Sequence, residues 1–133
     1  MIVLDENVHR LAVSNAIERW YPGQVISITD LRPASTIKDE AVPTCLRRAK
    51  EATFVTTNVS DYWNKIQVSP AYCVIAIEIA NERISEIPEL VREILRLDAF
   101  KTKASRMGKI IRWTPTRIEY YEANRRVIAV PLD

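Results

Sequence analysis

Short apolar runs alternate with amphipathic stretches along the first hundred residues of this 133-residue chain. Ile2, Val3 and Leu4 make a run rich in β-branched residues, which suits a buried strand better than a helix. Asn7 stands where it would cap a helix whose positions Val8, Leu11, Ala12, Asn15, Ala16 and Trp20 mostly recur three or four apart. Tyr21, Pro22 and Gly23 end that helix, with the glycine expected in a left-handed stop. Gln24 to Ile28 reads as a second strand. Strand, helix and strand in this order predict two parallel neighbours.

Leu31 to Ser35 reads as a loop, and Thr36 and Asp39 then have capping-box spacing. Ala41, Val42, Cys45, Leu46 and Ala49 make one helical face, but Pro43 removes a hydrogen bond past a first turn. A turn carrying Asp39 and Glu40 is therefore expected before a regular helix that begins near Pro43. Thr53 to Thr57 is a third strand, inside the stretch ATFVTTNVSDYW, followed by a polar turn and a short helix from Asp61 to Ile66. Tyr72 to Ile79 is a fourth, apolar throughout CVIAI as a central parallel strand should be. Ser85 can cap a helix with Ile87, Leu90, Val91, Ile94 and Leu95 on one face. After Phe100 the pattern changes, and Lys109 to Trp113, Arg117 to Tyr121 and Arg125 to Val130 predict an antiparallel β meander.

Length and a 47% hydrophobic content fit one compact domain, 1–133, with an α/β core over 1–100 and a basic, β-rich extension over 101–133. Cys45 and Cys73 belong to no metal-binding spacing and read as buried thiols. His9 is the lone histidine, which argues against a Ser/His/Asp triad or a histidine zinc site. The opening MIVLDEN lacks the basic start and apolar centre of a signal peptide, and no apolar run nears the roughly 20 residues of a membrane span. A cytoplasmic location without membrane contact is the expectation.

Charge is unevenly spread. Residues 1–100 carry 11 Lys/Arg against 14 Asp/Glu, whereas residues 101–126 carry eight Lys/Arg against two Glu, for a net +6. Lys101, Lys103, Arg106, Lys109 and Arg112 begin that basic segment. Such a segment suits a polyanion, because cations near phosphates release condensed counterions; a solvated basic surface is the plainer alternative. Trp113, Tyr120 and Tyr121 would stack on bases or simply pack the hairpin.

In an open parallel sheet, ligands collect at the carboxyl ends of the strands where the strand order reverses. Asp5 follows the first strand, Asp61 follows the third, and Asp39 and Glu40 precede the helix between. Carboxylates brought together repel unless a cation sits among them, and hard oxygen ligands suit Mg²⁺ or Mn²⁺. A metal so held would promote hydrolysis of a phosphodiester. Asn7, Thr57, Asn58 and Ser60 are the polar residues that would support such a site. Each also has a duller role: Asp5 and Asn7 open a helix, Asp39 partners Thr36, Glu40 complements a helix dipole, Asp61 caps a helix, and the rest fill turns.

MIVLDEN, an internal Asp-Glu before a helix, and TTNVSDYW together resemble the PIN-like nuclease superfamily over Met1 to about Ile79, most closely its short bacterial toxin-antitoxin-type proteins. The resemblance implies a three-layer α/β/α fold with a mostly parallel sheet and a metal-dependent endoribonuclease activity on RNA. It also implies Mg²⁺ or Mn²⁺ held by acids at Asp5, at Asp39 or Glu40, and at Asp61, and an antitoxin-type protein partner. Val59 stands where the family pattern carries a further acid. Either Asn58 and waters fill that gap, or Glu6 does, or the metal is lost and the protein binds RNA or a partner without cutting. A third alternative is an interaction module that uses the meander edge to form a homodimer.

Overall fold

The computed structural model describes residues 1–31 and 41–131. Seven strands form one sheet: β1 (Ile2–Leu4), β2 (Val25–Ser27), β3 (Ala52–Thr56), β4 (Tyr72–Ile77), β5 (Ile110–Thr114), β6 (Arg117–Tyr121) and β7 (Ile128–Val130). Their order is β2-β1-β3-β4-β5-β6-β7. The first five pair in parallel, and β5-β6 and β6-β7 pair antiparallel. This is an α/β fold with a mostly parallel sheet, as the sequence pattern predicts. The carboxyl-terminal meander is part of that sheet, because β5 joins β4 in parallel.

Side-chain alternation divides the interior into two layers. On one face Ile2, Leu4, Val55, Cys73, Ile75 and Ile77 meet α1 (Leu11–Glu18) and α4 (Ile87–Arg96) through Val13, Ile17, Ile87, Val91 and Ile94. On the other, Val3, Phe54, Tyr72, Val74 and Ile110 meet α2 (Val42–Arg48) and the single turn α3 (Val59–Tyr62) through Cys45, Leu46 and Tyr62. Every residue of β3 and β4 is buried. Each large aliphatic side chain so placed contributes about 1.5–3 kcal/mol.

The element ends correct several expectations. α1 starts after Arg10 with no side-chain cap, because Asp5 O accepts from Val8 N and His9 N at 2.9 Å and ties residues 5–9 into a turn. Leu11 is consequently 74% exposed, and Val13 and Ile17 supply the buried face. Gly23 is not left-handed. A Cβ there would lie 2.7 Å from the Tyr21 ring, so any other residue would make that ring shift from its position. α2 begins beside Pro43 as its proline requires. The helix after Ser85 opens with a 3₁₀ segment, Asn81–Glu86, and Pro88 takes the first turn of α4. A helical turn α5 (Lys103–Arg106), closed by a capping box between Thr102 and Ser105, was not in the predicted pattern.

Candidate functional site

The order β2-β1-β3 makes the gap between β1 and β3 a point where successive connections leave in opposite directions, and ligands bind at the carboxyl ends there. Register sets what meets. Leu4 pairs with Val55, and the next residue continues the ladder, Asp5 N donating to Val55 O at 2.9 Å. Asp5 thus lies opposite Thr56, whose hydroxyl donates to Asp5 Oδ2 at 2.7 Å. Glu6 N donates to the other oxygen, Oδ1, at 2.8 Å.

The same Thr56 Oγ1 accepts from Asn58 N at 3.0 Å, and Asn58 Nδ2 donates to Asp61 Oδ2 at 2.6 Å. Ser60 Oγ approaches Asn58 Oδ1 at 3.4 Å, and Lys65 Nζ lies 3.7 Å from Asp61 Oδ1. Asp5 and Asp61 are therefore joined by a hydrogen-bonded run through Thr56 and Asn58. Asp61 also lines an open cavity of about 520 Å³ between α2 and α3, with Thr44, Arg47, Lys65 and Gln67 around it. Arg47 donates to the Gln67 side chain.

Of the residues singled out by sequence, Asp5, Asn58, Ser60 and Asp61 come together here. Asp39 and Glu40 lie outside the described residues. Asn7 is exposed in the turn before α1, and Thr57 acts through its carbonyl, which accepts from Val59 N at 3.0 Å. The supporting threonine is Thr56, its neighbour, which alternation turns inward. Val59 opens α3 and packs, half-buried, against the core beneath α2. Among the described residues no group of three or more His, Cys, Asp or Glu is arranged to hold a metal ion.

The basic segment is not one face. Lys101, Lys103 and Arg106 line a cavity with Trp20 and Tyr21 at the amino ends of the strands. Lys109 Nζ donates to Ala99 O at 3.0 Å and lies 4.8 Å from the Tyr120 ring centre. Arg112 falls on the carboxyl half of the sheet, opposite Ala76 and Glu119, within 3.4 Å of both Glu78 and Glu119 and over the Trp63 ring. Neither Glu78 nor Glu119 was singled out by sequence, since only cross-strand register brings them to Arg112. Tyr121 is buried and donates to Trp63 O, so it packs the hairpin, and Tyr120 packs edge-on against Phe100.

Both cysteines are free and buried, and burial pushes the Cys73 thiol up to about 12. No helix among the described residues is long and apolar enough to cross a membrane. Compared with known proteins, the chain matches no family model, no curated protein and no solved structure.

Proposed function

We propose that this protein is a PIN-like, divalent-metal-dependent endoribonuclease whose active site lies at the carboxyl ends of β1 and β3. The observation that carries the reading is the run from Asp5 through Thr56 and Asn58 to Asp61, which holds two carboxylates at the switch point of the sheet. That donor set fits a magnesium-type ion, which takes one or two protein carboxylates and completes its shell with water and substrate phosphate. Asp5 and Asp61 would hold it, and Asp39 and Glu40 join the proposal through their sequence position alone. Bound Mg²⁺ or Mn²⁺ supplies charge neutralisation at a phosphodiester and a more acidic water.

The chain's own part is positioning. Thr56 donates to Asp5 while accepting from Asn58, so its hydroxyl is committed in both directions and fixes the Asp5 carboxylate. The Asn58 amide does the same for Asp61. Arg47 and Lys65, beside Asp61, supply cations for an RNA backbone on this side. A toxin-like role would add an antitoxin-type protein partner. The test is cleavage of a mixed RNA pool with Mn²⁺ by the wild type and Asp5→Asn. A rate loss beyond the roughly 10–100-fold typical of a residue that only orients a metal ligand is expected; equal rates would overturn the reading.

A second reading, a protein of the same fold that holds RNA without cutting it, is favoured by Val59, which fills the expected acid position with an apolar side chain packed on the core. It predicts salt-dependent RNA binding with no calorimetric heat from Mg²⁺ or Mn²⁺.

A further inference from the structure

At the amino-terminal edge of the sheet, Trp20, Tyr21, Leu95, Lys101, Lys103 and Arg106 border an open cavity of about 480 Å³. It lies at the other end of β3 from Asp5. Arg106 Nε donates to Thr53 Oγ1 at 3.0 Å, and Thr53 N donates to Met1 O at 2.9 Å. Thr53 and Thr56 are three strand steps apart, roughly 10 Å.

Arg106 is 4% exposed and, among the described residues, has no carboxylate within ion-pair distance. Its Nη1 donates to Phe100 O at 3.1 Å, so two of its bonds go to neutral oxygens. A guanidinium cannot shed its proton, and a buried charge without a countercharge is costly. Pinning α5 to β3 does not explain that charge, because a neutral donor would make both bonds. The other cations deepen the imbalance. Lys101 and Lys103 line the same cavity, and Lys103 has only a 3.9 Å approach to Glu51, with both side chains about half exposed. The Met1 ammonium, bonded to the Tyr21 hydroxyl at 3.0 Å, is held below its ordinary pKa by burial first and then by Lys103 and Arg106.

The wall facing these cations is aromatic. Trp20 and Tyr21 meet edge to face with centroids 6.1 Å apart, and Gly23 lets the Tyr21 ring lie down beside the chain. Convergent cations prefer a phosphate, and aromatic rings accept any base on their faces. The volume suits a ligand of mononucleotide size.

We infer that this cavity binds a phosphate monoester carried on a planar base, with the phosphate among Arg106, Lys101 and Lys103 and the base against Trp20 and Tyr21. The ligand is either a free nucleotide or the phosphorylated end of an RNA, and the chemistry is shared. This site is independent of the proposed cleavage site.

Calorimetry on the whole protein tests it with adenosine monophosphate, uridine monophosphate, adenosine, inorganic phosphate, and a short oligoribonucleotide with either a 5′-phosphate or a 5′-hydroxyl. A monophosphate or the 5′-phosphorylated oligonucleotide is expected to bind at least tenfold more tightly than adenosine or phosphate alone. The two monophosphates should bind alike, because stacking tolerates either base. Tight binding of the mononucleotides assigns a nucleotide site, and binding confined to the 5′-phosphorylated oligonucleotide assigns an RNA terminus. Loss of about 10- to 100-fold is expected for Arg106→Met, the range of a charged hydrogen bond. Because Arg106 is buried, the exposed pair Lys101→Ala/Lys103→Ala is the companion variant and should weaken binding without unfolding the protein. Trp20→Phe should remove most of any ligand-induced change in tryptophan emission. Asp5→Asn should leave binding unchanged, which separates this inference from the nuclease reading. Failure of every phosphate ligand to bind, or unchanged affinity in the lysine pair, overturns it.

Discussion

Two threonines of one strand serve opposite charges. Thr56, at the carboxyl end of β3, donates to the Asp5 carboxylate, whereas Thr53, at the amino end, accepts from the Arg106 guanidinium. Both are fully buried, and their odd separation of three positions turns them to opposite faces of the sheet. A hydroxyl can play either part, so a single β-branched residue type anchors an acid on one edge and a base on the other. The edges differ in what lies around the anchored charge. Near Asp5 and Asp61 the cations Lys65 and Arg47 sit at the rim, while Arg106 is sunk among further cations. Under the two proposals, the carboxyl edge would take a cation and the amino edge an anion.

The strongest way to break this comparison is at Asp61. Asp61→Asn should lower RNA cleavage more than the roughly 10–100-fold typical of a residue that only orients a ligand. It should leave nucleotide binding at the amino edge intact, as single-turnover cleavage and calorimetry on one preparation would reveal. Next comes Thr56→Val, which keeps the shape of the side chain and removes the hydroxyl. It leaves Asp5 short of a donor and Asn58 N short of an acceptor, so a stability loss of about 1–3 kcal/mol in urea unfolding is expected, with cleavage reduced by roughly 10–100-fold. The smallest effect belongs to the Met1 amine. Its folded pKa lies below the ordinary 8.0, so the unfolded chain binds more protons just below that pH, and stability should rise slightly as pH climbs through that window. A saturating phosphate ligand should flatten the rise, as thermal melts at several pH values would record.

The strands were the most legible part of the chain. β1, β3, β4 and the hairpin are marked by apolar runs and alternation, and the ends of the first and third strands point to Asp5 and Asp61. The polar link between them was not legible. Thr56 and Thr57 look equivalent in sequence, and only register against Asp5 distinguishes them. The first helix begins later than its apolar spacing suggests because residues 5–9 close their own turn on Asp5 O and Arg10 is extended, so regular helix starts only at Leu11. The basic segment was legible as composition but not as geometry. α5 and the pairing of β5 send Arg106 and Arg112 to different ends of the sheet, and no local signal encodes that divergence.

That pairing also governs how the chain can be made. β5 covers the open side of β4, yet it is separated from β4 by more than thirty residues of later sequence, and a parallel join of this kind forms slowly because a long loop must close first. During synthesis, β4 would emerge with its outer hydrogen-bonding edge unsatisfied until Ile110–Thr114 follows. The nascent chain therefore passes through an interval in which its most apolar strand is a sticky edge, and a chaperone or a slow-folding phase is to be sought there.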